Sequence, residues 1–123
     1  MSRLEIRTEG GRLAFHPGEE IQGTASWSLD TAPAKVELRL FWRTEGKGTQ
    51  DVEVIETVAF EGVGAEDRRE FRLRLPPGPY SFSGKLISLI WALELVAEPG
   101  AEAGRQEITL SPTGHEIHLG TES

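Results

Sequence analysis

The tetrapeptide HEIH, residues 115–118, has the most suggestive spacing of potential metal ligands in the chain. On a strand His115 and His118 face opposite sides, which is wrong for one metal. On a helix they would share a face, but Gly114 and Gly120 argue against a helix. The chain has no cysteine, so a zinc site would need carboxylates from elsewhere. A solvated C-terminal strand is the better reading, and His16, just before a Pro-Gly pair, reads as a turn residue. Nucleophilic chemistry fares no better. There is no GxSxG elbow, and Ser81 and Ser83 sit in a proline-rich crossing between strands. Among 20 acidic residues any carboxylate pair is a weak signal. The glycines of EGVG at 61–64 are not followed by the Gly-Lys-Ser/Thr of a phosphate loop. The expectation is a protein that is not an enzyme and holds no metal or cofactor.

The basic concentration in this acidic chain is RREFRLR, residues 68–74. Arg72 and Arg74 share one face of a strand, where they would receive a phosphorylated or acidic peptide through paired hydrogen bonds. The competing and favoured reading pairs them with glutamates on neighbouring strands.

The elements that must position these groups are strands. KVELRLFW places Val36, Leu38, Leu40 and Trp42 on one face and Lys35, Glu37, Arg39 and Phe41 on the other. EFRLRL puts Phe71, Leu73 and Leu75 inward, IQGTASW alternates Ile21, Gly23, Ala25 and Trp27, and DVEVIETV offers Val52, Val54 and Val58, broken by Glu56. A period of two with one dry face marks half-buried strands. Turn signals separate the runs, at 16–19, 30–33, 45–50, 61–67, 76–79 and 98–104. With 14 glycines and 7 prolines concentrated in the gaps, the pattern is that of an antiparallel sandwich or barrel.

The apolar run Leu86–Val96 is ambiguous by periodicity alone, since Leu86, Leu89, Ile90 and Leu93 would also line a helix. Its alternating large residues Ile87, Leu89, Trp91, Leu93 and Leu95, and the β-character of everything before it, favour a core strand. It is too short for a membrane span and contains Glu94. Pro76, Pro77 and Pro79 cannot continue the preceding ladder, so the chain crosses stiffly there, with Tyr80 and Phe82 expected to pin the crossing to the core.

Composition bounds the rest. A chain of 123 residues, 37% hydrophobic and 27% charged, is expected to be one domain with its own core. Residues 112–123 are expected to form an edge strand or a tail. A net charge of -7 argues against nucleic-acid binding. The absence of cysteine and of an apolar leader suits the cytoplasm.

The order of motifs carries a resemblance. FHPGEEIQGT at 15–24, then KVELRLFW, then FRLRLPPGPYSFSGKLISLIWALEL resembles the arrestin-like superfamily. The matching positions are Pro17, Gly18, Glu19 and Gly23, then Phe71, Leu75 and Pro76, then Pro79, Ser81, Phe82 and Gly84, then Trp91, over residues 13 to 110. The resemblance implies an immunoglobulin-like antiparallel β-sandwich of about seven to eight strands. It also implies a non-enzymatic adaptor or regulatory scaffold. The chain differs from the tandem pattern in having one sandwich's worth of residues, in Trp91 where tyrosine is commoner, and in lacking the buried charged cluster of phosphate-triggered receptor binders.

If Trp91 and Trp42 point inward, then Phe41, Leu86 and Ile90 point outward, and an apolar outer face reads as an interface unless a loop or the C-terminal tail covers it. Phe41, Leu86, Ile90, Arg72 and Arg74 are therefore the candidate interface residues. The expected occupant is a partner protein or a second copy in a homodimer. The alternative function is a ligand-binding sandwich for carbohydrate or peptide, which the inward placement of Trp27, Trp42 and Trp91 disfavours.

Overall fold

The computed structural model describes residues 2–46, 50–84, 86–99, 102–113 and 117–118. Those residues form an all-β sandwich with ten strands: β1 (Arg3–Thr8), β2 (Ala14–Phe15), β3 (Glu20–Ser28), β4 (Lys35–Gly46), β5 (Val52–Phe60), β6 (Glu66–Arg74), β7 (Phe82–Ser83), β8 (Ile87–Glu98), β9 (Glu102–Leu110) and β10 (Ile117–His118). The three-residue 3-10 turn Glu9–Gly11 is the sole helical element among them.

Two sheets face each other across one core. The smaller runs β1-β3-β6, antiparallel throughout. The larger has β8 at its centre, with β4 and then β5 on one side. Along its other side β8 is shared, first by β7 and then by β9. Two of the three two-residue pairings depart from the antiparallel expectation: β2 lies parallel to the end of β9, and β10 parallel to β7, whereas β7 runs antiparallel to β8. Part of the C-terminal segment thus pairs within its own chain, while 114–116 and 119–123 lie outside the described residues.

The central place of β8 explains why its sequence is apolar on both faces. Leu89, Trp91, Leu93 and Leu95 fill the core with Leu38, Leu40, Leu73 and Leu75. Ala92 and Val96 point away from that core and are buried nonetheless. The proline-rich lead-in is tied to this strand. The Trp91 indole N–H donates to the Pro79 carbonyl at 2.7 Å, so the one polar atom of a fully buried ring is satisfied by the crossing itself. Ser81 continues the anchoring: its N–H donates to Leu110 O at 2.7 Å, and its Oγ accepts from Leu110 N at 2.9 Å. Phe82 packs on the core, but Tyr80 is exposed and does not pin the crossing.

At the Pro-Gly-Glu turn the Glu19 carboxylate holds the β2–β3 connection together. It accepts from both Arg12 terminal nitrogens, at 2.6 and 3.0 Å, and from the His16 backbone N–H at 2.9 Å. Arg12 also lies over the Phe15 ring, 4.8 Å from its centroid. Chiefly through the Arg12 hydrogen bonds, and then that backbone N–H, the Glu19 pKa is lowered from 4.5 to about 2. A depressed folded-state pKa gives stability that is present above the ordinary carboxylate value and lost as pH falls toward the folded value. Glu19→Gln is therefore expected to flatten the acid limb of the stability profile between pH 4.5 and about 2. Denaturant melts at pH 5 and pH 3 check this. A wild-type loss between those values that Glu19→Gln reproduces in full would remove Glu19 as its source.

Candidate interaction surface

The outer face of the larger sheet is built from the residues of β4 and β8 that turn away from the core. Cross-strand register sets Val54, Phe41, Ala92 and Glu107 in one row, and Val52, Arg43 and Ile90 in the next. Phe41 does point outward, but it is only 4% exposed, which corrects its place in an exposed patch. Among the described residues a cation lies on it. The Arg105 guanidinium lies 5.3 Å from its ring centroid, held there by Glu94 at 3.1 Å. Beside it Arg43 bridges Glu45 at 2.9 Å and Glu107 at 3.1 Å. Burial works against the charge of Arg43, but the two carboxylates more than restore it and its pKa is raised. Further along, Glu37 binds Lys35 at 3.1 Å and Arg39 at 3.0 Å, and its carboxyl pKa is lowered by Arg39 first and Lys35 second. Long arginine stems lie on apolar surface while their heads pair in water. That arrangement helps to dry Phe41.

The aliphatic residues that stay exposed lie at one end of this sheet, where β4 turns into β5 and β8 begins. Leu86 is 68% exposed, as the sequence pattern led us to expect, and Ile87 is exposed beside it. Ile90 is half-buried. It borders an open hollow of about 410 Å³ with Leu13, Glu45, Ser88 and Glu107. Val52 and Val54, expected in the core, are instead 63% and 50% exposed. The reason is a β-bulge. Leu40 pairs with Glu56 and Phe41 with Val54, so Ile55 is an extra residue on β5. The shift sends Ile55, Val58 and Phe60 toward the core and turns the two valines outward.

Arg72 and Arg74 are on the opposite sheet and are not brought together with the other candidates. They share the outer face of β6, as the alternation implies. Arg72 lies 3.7 Å from Glu20 on β3, and Arg74 donates to the Gly18 carbonyl at 3.0 Å. With Arg7, Arg68, Glu5, Glu70 and Gln22, Arg72 lines an open hollow of about 580 Å³ on that polar face. Its charges are mixed, which suits solvent. Among the described residues no cluster of His, Cys, Asp and Glu is placed to hold a metal. His115 lies outside the described residues.

The described chain is thus an all-β sandwich whose polar faces are tied by cross-strand ion pairs. No family profile and no curated protein matches it. Among solved structures it is similar to Spo0M, a sporulation control protein from Bacillus subtilis, with a TM-score of 0.68 and 20% identity over 89% of this chain. The chain spans about half the length of that protein, 49%. The likeness establishes the fold. The AlkC DNA glycosylase of Pseudomonas fluorescens also aligns, with a TM-score of 0.46 and 15% identity over 89% of this chain and 30% of that one. A β-glucosidase of Listeria innocua aligns with a TM-score of 0.38 and 12% identity over 94% of this chain and 16% of that one. Scores that low carry no argument about activity. No helix among the described residues is long and apolar enough to cross a membrane.

Proposed function

We propose that this protein is a non-enzymatic interaction module, an adaptor or regulatory scaffold resembling one arrestin domain and working in the cytoplasm. The observation that carries the reading is the group of exposed aliphatic side chains Val52, Val54, Leu86 and Ile87 at one end of the larger sheet. Elsewhere on that sheet the outward Phe41 is covered by Arg105, itself paired with Glu94. Leaving four aliphatics in water has a hydrophobic cost that a partner's surface would relieve. The arrestin-like motif order and the fold shared with a sporulation control protein support a regulatory role rather than a catalytic one.

The test is capture from the source cell with variants as controls. The wild type is expected to retain a partner in near-stoichiometric amount. Val52→Ser with Leu86→Ser is expected to reduce recovery at least tenfold, while Arg72→Ser on the opposite sheet leaves it unchanged. These sites are exposed, so folding stability should stay within about 0.5 kcal/mol. Recovery that follows Arg72 instead, or a monodisperse 13.5 kDa chain with no partner, would end this reading.

The carbohydrate-binding alternative needs rings presented to solvent. Trp27 and Trp91 are buried, and Trp42 packs against the core. Acrylamide is expected to quench the three indoles weakly, whereas strong quenching relieved by a sugar would favour the alternative.

A further inference from the structure

The exposed aliphatic group leaves open how a partner would be held, and the edge strand β5 supplies a specific mode. We propose that the free edge of β5 takes up, by strand addition, a short extended segment of a partner protein that alternates aliphatic with lysine or arginine residues. This rests on the interaction-module reading and names the surface and the partner's chemistry.

Three observations converge on β5. The first is its edge. The strand hydrogen-bonds to β4 along one side, and among the described residues no strand pairs with the other. Nine residues offer about 30 Å of backbone donors and acceptors. The second is its apolar side. Val52 and Val54, two apart on the outer face, form a shelf against which alternate side chains of an added strand would pack. The third is charge. Asp51, Glu53, Glu56 and Glu61 are all exposed, and residues 51–61 contain no lysine or arginine. Among the described residues none of these four carboxylates has a basic group within ion-pair distance. Elsewhere on the same sheet Glu37, Glu94 and Glu107 are each paired.

That charge pattern selects the occupant. A second copy would set one acidic β5 against another, with like charges across the new ladder and a net charge of -7 on each chain. A basic strand would neutralise the row while its aliphatic residues cover the valines. The bulge at Ile55 interrupts the edge. It discourages long indiscriminate pairing and favours a short segment. Edge acids also guard sheets against aggregation, and that protective role alone predicts no binding of the probe below.

The probes are synthetic octapeptides added to the full chain: alternating Val-Lys, a blocked scramble of the same composition, and alternating Val-Glu. Alternating Val-Lys is expected to bind at least tenfold more tightly than the scramble, and to weaken as salt screens the charges. It should also slow amide hydrogen exchange within residues 52–60. Glu53→Lys with Glu56→Lys is expected to abolish binding, and Val54→Ser to weaken it severalfold. Equal binding of the scramble, slowed exchange at β6 instead of β5, or no binding at millimolar peptide would each overturn the inference. If cellular capture still depends on Val52 and Leu86 while the peptide fails, the strand-addition mode falls and the interaction-module reading stands.

Discussion

Trp91→Ala is expected to destabilise the protein by roughly 3–5 kcal/mol, the range for deleting a large aromatic ring from a packed core. The ring is fully buried in the core that Leu73, Leu89 and Leu93 help to form. Two losses combine. The cavity forfeits packing on both sheets, and the Pro79 carbonyl loses the indole N–H that reaches it at 2.7 Å. Trp91→Phe separates them. It keeps most of the ring but leaves the carbonyl unpartnered, so it should cost about 1–3 kcal/mol from the lost hydrogen bond. Urea melts of both variants check the pair. A Trp91→Ala loss below about 1 kcal/mol would place the ring outside the cooperative core and overturn the register of β8.

Gly23→Ala should rank second, at roughly 2–4 kcal/mol, because the space for a methyl group is already taken. A Cβ on Gly23 would overlap the backbone carbonyl oxygen of Arg7 and sit 2.8 Å from Cζ of Phe71. A backbone oxygen cannot rotate aside as a side chain can, so either β1 moves off β3 or Phe71 leaves its place in the core. The control is Gly64→Ala, whose added methyl meets only Glu66 O at 3.6 Å, an ordinary contact. That variant should stay within about 0.5 kcal/mol of wild type. Equal melts for the two would mean that β1 does not approach β3 as closely as this.

Both sites were legible as positions in a pattern before their reasons were. Trp91 stood out as the large residue in the middle of an apolar alternation, which is enough to expect a core strand. Nothing in the spacing says that its N–H would reach back to Pro79. Gly23 occupied a core-phase position without a side chain, a signal of close approach, yet the approaching atom comes from β1, fifteen or so residues earlier in the chain. Phe41 and the valines of β5 show where local patterning stopped being sufficient. Alternation placed Phe41 outward, and it does face outward. What sequence spacing does not contain is Arg105, brought over the ring by β9 from the far end of the chain.

The strand character of β3, β4, β5, β6 and β8, the inward faces of β3, β4, β6 and β8, and the all-β class were determined by the sequence itself. A period of two and the turn residues are local properties, and burial of one face is the same whichever strands become neighbours. The tertiary structure alone decided which outward residues are dry and which face the solvent. That outcome depends on cross-strand register, and a single extra residue at Ile55 reverses the sense of β5 from Val54 back to Val52. The same holds for charge. Arginines and acids are interspersed along several strands, but only the strand order pairs Arg43 with Glu107 and Arg105 with Glu94, leaving the acids of the β5 edge unpaired among the described residues.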